Sequence, residues 1–229
     1  MAQVWHDLLF AHWELPAEAL RPLLPAPLEL DLFEGRAYLG VVPFRMSGVR
    51  LRGTPSLPWL SAFPELNVRT YVTLDGRPGV WFLSLDAGNP LAVAIARAWF
   101  RLPYYRARMS CEGAGGAVRY ASVRTHRGEP PAGLACTYAP RGPAFRAREG
   151  TLEHFLTERY WLYAPGLLRA EIQHPPWELQ EATAAFGANT MARAHGLELP
   201  DADPLLHFAR RQDMVTWAPR PVLTAAGVP

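Results

Sequence analysis

The sequence predicts a single α+β domain that consists mostly of antiparallel β strands. The segment ELNVRTYVTL, residues 65–74, alternates apolar and polar residues with the period of a strand. Other strand-like segments are separated by short turn signals, such as DGRPG at 75–79 and GAGG at 113–116. The chain contains no internal repeat and no domain-sized linker, so we predict one domain over 1–229, with a core at about 5–217 and a loose tail at 218–229.

The composition is that of a folded globular protein, since 49% of the residues are hydrophobic and 19% are charged. The net charge is +2 and the arginines lie in scattered pairs, so we do not expect nucleic-acid binding. No apolar run approaches the roughly 18 residues of a membrane span. The first residues, MAQVWHDLLF, lack the pattern of a signal peptide, and we therefore expect a cytoplasmic protein.

The first half of the chain contains a predicted helix at 16–24 and a predicted hairpin of strands at 28–33 and 37–52. The proline-rich segment 53–64 is predicted to be a surface loop or lid. Strand 65–74 then pairs with 80–87. Asn89-Pro90 is a favourable helix start, and the helix 90–101 carries one stripe of apolar residues and two arginines on another. The stripe comprises Leu91, Ile95, Ala98 and Trp99, and the arginines are Arg97 and Arg101.

The second half is predicted to contain more strands than helices. A short helix follows Thr151, and the stretch 177–195 is predicted to form a strand and then a short helix. The predicted strands are 104–112, 117–126, 134–140, 159–164, 167–174 and 205–217. The GAGG cluster is predicted to be a hairpin turn, because it lacks the glycine spacing and the following helix of a phosphate-binding loop.

Several classes of chemistry lack their sequence signals. All 23 basic residues are arginine, so no lysine is present to form a Schiff base. The seven histidines form no metal-binding motif, and we predict no metal and no cofactor, although a site assembled from distant strands stays open. Cys111 and Cys136 lie in or beside strands and are expected to be inert thiols.

The polar face of strand 65–74 holds Glu65, Asn67, Arg69 and Tyr71. Such a face is solvated in an open sheet but lines an interior if the sheet closes. An interior Glu65 needs a partner, because an unpaired buried charge is costly. Candidate partners are Arg97, Arg101 and the hydroxyl of Tyr104. We expect an ionised Glu65 that is paired with arginine in a cavity shared with Arg97 and Tyr104.

A second group of polar and aromatic residues is TERYWLY at 157–163 with EIQHPPWELQ at 171–180. Its members can form an interior network, or they can be the charged surface of a helix end packed on a strand. The residues concerned are Glu158, Arg159, Tyr160, His174 and Trp177.

The chain resembles the YqjF-like family, domain of unknown function 2071, over about residues 5–217. The ordered segments that carry the resemblance are FAHW, LPAPLELDLFEGRAYLGVVPF, FPELNVRTYV, GVWFLSLDA, LPY, FLTERYWLY, HPPW and LLHFAR. A fainter resemblance, over about 63–109, is to acetoacetate decarboxylase. It implies a partly closed, mainly antiparallel β barrel with a few short helices.

The decarboxylase pattern implies where a site would lie in this barrel. Its catalytic glutamate matches Glu65, its arginine matches Arg97 and its proline matches Pro103. The two lysines of the pattern fall on Tyr104 and Tyr105, so the Schiff-base reaction is not expected here.

Two classes of function therefore stay open. The first is a small-molecule-binding or structural β-barrel module, either of which can form a homo-oligomer. The second is a lysine-independent enzyme acting on a small carbonyl or carboxylate compound, with Glu65 as acid or base and Tyr104 beside it. The candidate ligand-binding residues in either case are Asn67, Arg69, Arg97, Tyr105, Glu158, Arg159 and His174.

Overall fold

The computed structural model describes residues 1–50, 53–55 and 61–222. Within them, thirteen strands form one sheet with three short α-helices. The helices are α1 (Ala17–Leu20), α2 (Pro90–Phe100) and α3 (Leu152–Thr157). The strands are β1 (Ala2–Leu15), β2 (Glu29–Leu30), β3 (Ala37–Arg50), β4 (Phe63–Leu74), β5 (Arg77–Ala87), β6 (Tyr104–Ala114), β7 (Ala117–Arg124), β8 (Gly133–Phe145), β9 (Trp161–Ala164), β10 (Leu168–Gln173), β11 (Leu179–Asn189), β12 (Leu205–Thr216) and β13 (Arg220–Pro221).

Five strands, β12, β1, β3, β4 and β5 in spatial order, form a central sheet that belongs to two closed rings. At one edge, β5 pairs with β6 through residues 85–87 and with β9 through 80–81. At the other edge, β12 pairs with β11 through 207–209 and with β10 through 215–216. The sheet therefore forks at β5 and rejoins at β12, through β6–β7–β8–β11 on one side and through β9–β10 on the other.

The fork explains why both faces of the central sheet are buried. On β4, Leu66 and Val68 pack into a core shared with Tyr120 of β7. Tyr71 faces the other way and packs into a second core that contains Trp177. Burying each such side chain contributes about 1.5–3 kcal/mol, so the two cores stabilise the same strands from both sides. The predicted fold class, a mainly antiparallel and partly closed barrel with few short helices, is confirmed.

The predicted hairpin of strands 28–33 and 37–52 is wrong in its pairing. Glu29 of β2 lies opposite Thr73 of β4, and not opposite β3. Only an isolated bridge between Phe33 and Arg36 joins the two halves of the expected turn. Strand β3 instead pairs with β1 and β4, because both of its faces are apolar enough for the centre of the sheet.

The first fifteen residues were not expected to form a strand, yet β1 lies in the middle of the sheet. Asp7 adopts a left-handed backbone conformation with φ of 52°, and the register with β3 shifts after His6. This bulge changes the parity of the strand, so Trp5, Leu8 and Phe10 all reach the second core.

Helix α2 agrees with its prediction in length but differs in what it buries. The Asn89 side chain accepts hydrogen bonds from the backbone N–H groups of residues 91 and 92, as an N-cap should. The predicted apolar stripe of the helix is largely exposed, and Val93 is the buried residue. Residues 56–60 of the predicted loop at 53–64 lie outside the described residues, and its last two residues, Phe63 and Pro64, already belong to β4. Arg220–Pro221 of the predicted loose tail pairs with β10.

Candidate functional site

A cavity of about 80 Å³, called the inner cavity below, lies between the central sheet and α2. Its polar wall consists of Trp5, Glu65, Asn67 and Tyr104, and its N-terminal margin includes Met1 and Gln3. The remaining wall is mostly apolar, with Phe82, Leu85, Phe100, Leu102, Leu162 and Ile172. The cavity therefore combines a compact polar end with a hydrophobic surround, as small-molecule sites do.

Strand register brings the polar wall together. Glu65 and Asn67 are two residues apart on β4, so both side chains point to the same side of the sheet. Asn67 lies opposite Leu85 of β5, which in turn lies opposite Tyr104, the first residue of β6. The parallel pairing of β5 with β6 thus places the Tyr104 side chain beside the β4 carboxyl group.

Glu65 is only 2% exposed, and its Oε2 accepts a hydrogen bond of 3.0 Å from Tyr104 Oη. Burial raises the pKa of Glu65 to about 8, although the Tyr104 hydrogen bond opposes the shift. Glu65 is therefore mostly protonated at neutral pH. The expected ionised carboxylate paired with arginine is wrong, because no ion pair within the described residues involves Glu65.

Asn67 is fully buried, and neither its Nδ2 nor its Oδ1 has a hydrogen-bond partner within the described residues. Trp5 Nε1, in the same wall, also lacks a partner. Buried polar groups in native proteins nearly always form hydrogen bonds, and each buried donor or acceptor without one costs about 1–3 kcal/mol. These orphaned groups therefore call for a water molecule or a ligand in the inner cavity.

Arg69 lies on the same face of β4, but its contacts are with α3 and β1 and not with the inner cavity. Its Nη2 donates to Leu156 O at 3.2 Å, and its guanidinium lies 5.3 Å from the centre of the Phe10 ring. Tyr71 Oη donates to the same carbonyl at 2.8 Å and bonds His12 Nε2 at 2.6 Å. Arg69 is not among the residues that line the inner cavity, and it fastens the end of α3 to the sheet.

Arg97 and Tyr105 also lie outside the lining of the inner cavity. Arg97 is exposed and its Nη1 donates to the backbone oxygen of Tyr104 at 2.8 Å. The Tyr105 ring lies between Arg97 and Arg124, whose guanidinium carbons are 5.7 Å and 4.3 Å from the ring centre. These contacts hold the turn from α2 to β6 in place, and so they position Tyr104 indirectly.

The second predicted group, around residues 158–177, is brought together as a network. Glu158 accepts hydrogen bonds from the Trp177 backbone N–H at 2.8 Å and from Tyr160 Oη at 2.6 Å. His174 stacks on Tyr160 and bonds the backbone oxygen of Arg159, whose guanidinium forms an ion pair with Asp31. None of these residues lines the inner cavity.

The sequence interpretation missed a buried ion pair on the opposite face of the sheet. Arg124 donates to both oxygens of Asp86, and both side chains are almost fully buried. Nearby, His195 Nε2 lies 3.1 Å from Ser84 Oγ, and burial lowers the pKa of His195 to about 4. The aspartate in the apolar run LSLDA could have indicated this ion pair, because a carboxylate in a strand that is buried on both faces needs a cation.

The described residues contain neither a cluster of metal ligands nor a membrane-spanning helix. No group of three or more His, Cys, Asp or Glu residues there is placed to hold a metal ion. None of the helices found there is long and apolar enough to cross a membrane. Burial raises the pKa of Cys111 to about 11 and of Cys136 to about 12, so neither is a reactive thiolate at neutral pH.

Two solved structures of distant sequence illustrate the similarity in fold. The enduracididine biosynthesis enzyme MppR, complexed with the condensation product of pyruvate and imidazole 4-carboxaldehyde, matches with a TM-score of 0.65 at 12% identity, over 96% of this chain and 88% of that one. Acetoacetate decarboxylase from Legionella pneumophila matches with a TM-score of 0.63 at 11% identity, over 99% of this chain and 89% of that one. The acetoacetate decarboxylase-like fold is thereby confirmed.

Sequence comparison identifies the family. The uncharacterized protein YqjF of Bacillus subtilis (strain 168) is 45% identical over 220 residues, which cover 95% of this chain and 90% of that protein. The model of DUF2071, described as an uncharacterized conserved protein, matches residues 2–213. The chain therefore belongs to the DUF2071 family.

Proposed function

We propose that this protein binds a small carbonyl or carboxylic compound in the inner cavity, without Schiff-base chemistry. The observation that carries the proposal is the fully buried Asn67, which lines the cavity beside Glu65 and whose amide finds no hydrogen-bond partner among the described residues. A protonated carboxyl group and an amide together offer two donors and two acceptors to a ligand. A carbonyl oxygen is the simplest group that accepts from both.

The charge of the cavity wall favours a neutral head group. Neither Arg69 nor Arg97 lines the cavity, so an ionised carboxylate would be desolvated there without either of these arginines as a partner. A ketone, an aldehyde, an amide or a protonated acid meets no such cost. MppR, which shares the fold, is described in complex with pyruvate, and a small carbonyl compound is thus accommodated by a related barrel.

A matched pair of variants tests the proposal. Asn67→Leu preserves the branched shape and the number of heavy atoms of the side chain but removes both polar atoms, and Glu65→Gln preserves an uncharged donor and acceptor. We expect acetone, acetamide and their homologues to bind the wild type and Glu65→Gln, and to bind Asn67→Leu about tenfold or more weakly in calorimetric titrations. Binding that Asn67→Leu leaves unchanged would reject the site, provided that the variant melts as a folded protein.

The second candidate function is catalysis by Glu65 as general acid or base. Its pKa of about 8 is the specific observation in favour, since a group that titrates near neutral pH is suited to proton transfer. Tyr104, hydrogen-bonded to Glu65, would orient the carboxyl group. Nuclear magnetic resonance in heavy water distinguishes the two functions, because an enzymatic base exchanges the α-protons of a bound ketone and the Glu65→Gln variant does not.

A further inference from the structure

A second, larger cavity of about 520 Å³ adjoins the inner one and is called the outer cavity below. The two share Met1, Ile95 and Phe100 as lining residues. The rest of the described lining of the outer cavity includes Val49, Pro55, Ser61 and Trp99. The two cavities therefore meet at Ile95 and Phe100 of α2 and at Met1, the residue before β1.

The outer cavity is bordered by two of the large apolar residues that the fold leaves exposed. Ile95 and Trp99 are one helical turn apart on α2 and are 45% and 63% exposed. Leu91 belongs to the same stripe and is 42% exposed, but it lines neither cavity. The exposed stripe is thus divided between a part that faces the outer cavity and a part that does not.

Polarity changes along the line from one cavity to the other. The orphaned atoms of Asn67 and Trp5, together with the Glu65 carboxyl group, are at the inner end. The inner cavity has space for little more than a head group, since its volume is about 80 Å³. Because both linings include Ile95 and Phe100, the outer cavity is the adjoining space into which the rest of a larger ligand would extend.

We propose that the ligand is amphiphilic, with a carbonyl-containing head group at Glu65 and Asn67 and a hydrocarbon tail in the outer cavity along Ile95 and Trp99. This inference rests on the proposed function and specifies its ligand class. A primary carboxamide is the best-matched head group, because it pairs its own donor and acceptor with the acceptor and donor of Asn67. Trp99 and Ile95 then determine specificity for tail length.

Chain length provides the test. Each methylene group that moves from water into an apolar site contributes about fourfold in affinity. In calorimetric titrations of straight-chain primary amides from acetamide to octanamide, we expect the dissociation constant to fall by about this factor per carbon until the tail fills the outer cavity. The titrations are made below the concentration at which each amide aggregates.

Two variants on one helix serve as the experimental and control arms. Trp99→Ala should leave the affinity for acetamide unchanged and reduce the increase in affinity with each added carbon for the longer amides. Leu91→Ala should bind every amide with the affinity of the wild type. A melting curve confirms that each variant is folded. Because Trp99 and Leu91 lie on the same exposed stripe, a general effect of surface hydrophobicity would change both variants alike.

The outcomes separate this inference from the proposed function. If acetamide binds and depends on Asn67, but longer amides gain nothing, the tail site is rejected and the head-group site stands. If neither amides nor ketones bind, both proposals fail. If Trp99→Ala changes the oligomeric mass in light scattering and not the gain per carbon, the stripe is a contact with a second copy, and the tail site is likewise rejected.

Discussion

Tyr104 Oη donates a 3.0 Å hydrogen bond to Glu65 Oε2, and this contact joins the start of β6 to the middle of the central sheet. By the resemblance to the decarboxylase pattern, we expect the phenol to stand where that pattern has a lysine, so that an uncharged partner replaces a charged one. An uncharged donor favours the ionised carboxyl group less than an ammonium group would, so it only partly opposes the effect of burial on the pKa of Glu65. The predictions below follow from that substitution and from the packing around it.

Replacing Tyr104 by phenylalanine should destabilise the protein by about 1 kcal/mol, because one hydrogen bond is lost in a partly buried place. The variant should also raise the pKa of Glu65 further, since the Tyr104 hydrogen bond opposes the effect of burial. Urea unfolding at several pH values measures both effects. Tyr105→Phe is the matched control, because the Tyr105 ring lies between Arg97 and Arg124, outside the inner cavity. Equal effects of the two variants would contradict this description of Tyr104.

Glu65 should make the stability of the wild type fall as pH rises. Its pKa is about 8 in the folded protein and 4.5 as the ordinary value of a glutamate, so the folded state retains a proton that the unfolded state releases between these limits. Relative to Glu65→Gln, which cannot titrate, the free energy of unfolding should decrease by up to about 1.4 kcal/mol per pH unit across this window. Parallel pH profiles of the two proteins would mean that Glu65 is solvated or paired with a cation.

Among the ion pairs of the described structure, the buried Asp86–Arg124 pair should cost the most unfolding free energy when its arginine is replaced. Arg124→Met leaves the buried Asp86 carboxylate without its cation and should cost about 3–5 kcal/mol of unfolding free energy. Arg146→Met breaks an exposed pair with Glu178 and should cost less than about 1 kcal/mol. The double variant Asp86→Leu/Arg124→Met should lose less than the sum of its single variants. Similar costs for the buried and exposed pairs would refute the buried contact.

Restoring a lysine at position 104 tests the correspondence with the decarboxylase pattern. In acetoacetate decarboxylase a lysine is activated by its surroundings, and Tyr104→Lys should likewise yield an amine whose pKa is lowered by burial. The Glu65→Gln background removes the carboxyl group that would otherwise stabilise the ammonium form. Acetylacetone should then form an enaminone at residue 104, detected by ultraviolet absorbance and located by peptide mapping.

Tyr105→Lys is the control for this reaction, because residue 105 does not line the inner cavity. The lysine at 104 should react faster than the lysine at 105 and faster than free lysine. If the two positions react alike in folded proteins, position 104 does not lie in a decarboxylase-like pocket, and the correspondence is lost.

The sequence predicted the parts of the fold that depend on local patterns. The alternation in 65–74 places Glu65 and Asn67 on one face, and Asn89 caps a helix of the expected length. Strand β1 was not predicted because the Asp7 bulge interrupts its alternation. The partner of β2 was not predicted because a two-residue strand carries too little pattern to fix its register.

The sequence predicted that Glu65 and Tyr104 lie close together, but it did not predict the protonation state of Glu65. The resemblance to the decarboxylase pattern pointed to Glu65 and Tyr104, and the structure brings these residues into contact. Arg97 was expected to complete the site, but it bonds the backbone of Tyr104 from outside. Trp5 was missed, because it comes from the strand that the sequence did not reveal. Burial and partner choice depend on how the sheet closes, and no local pattern encodes that closure.

A crystal structure of the protein soaked with hexanamide tests the central claim most directly, because it locates the ligand against Asn67. The account predicts an amide group in the inner cavity within about 3 Å of Asn67 and Glu65, with its tail running past Ile95 towards Trp99. The account is contradicted if ordered water alone satisfies Asn67 while hexanamide, at saturating concentration, binds elsewhere or not at all.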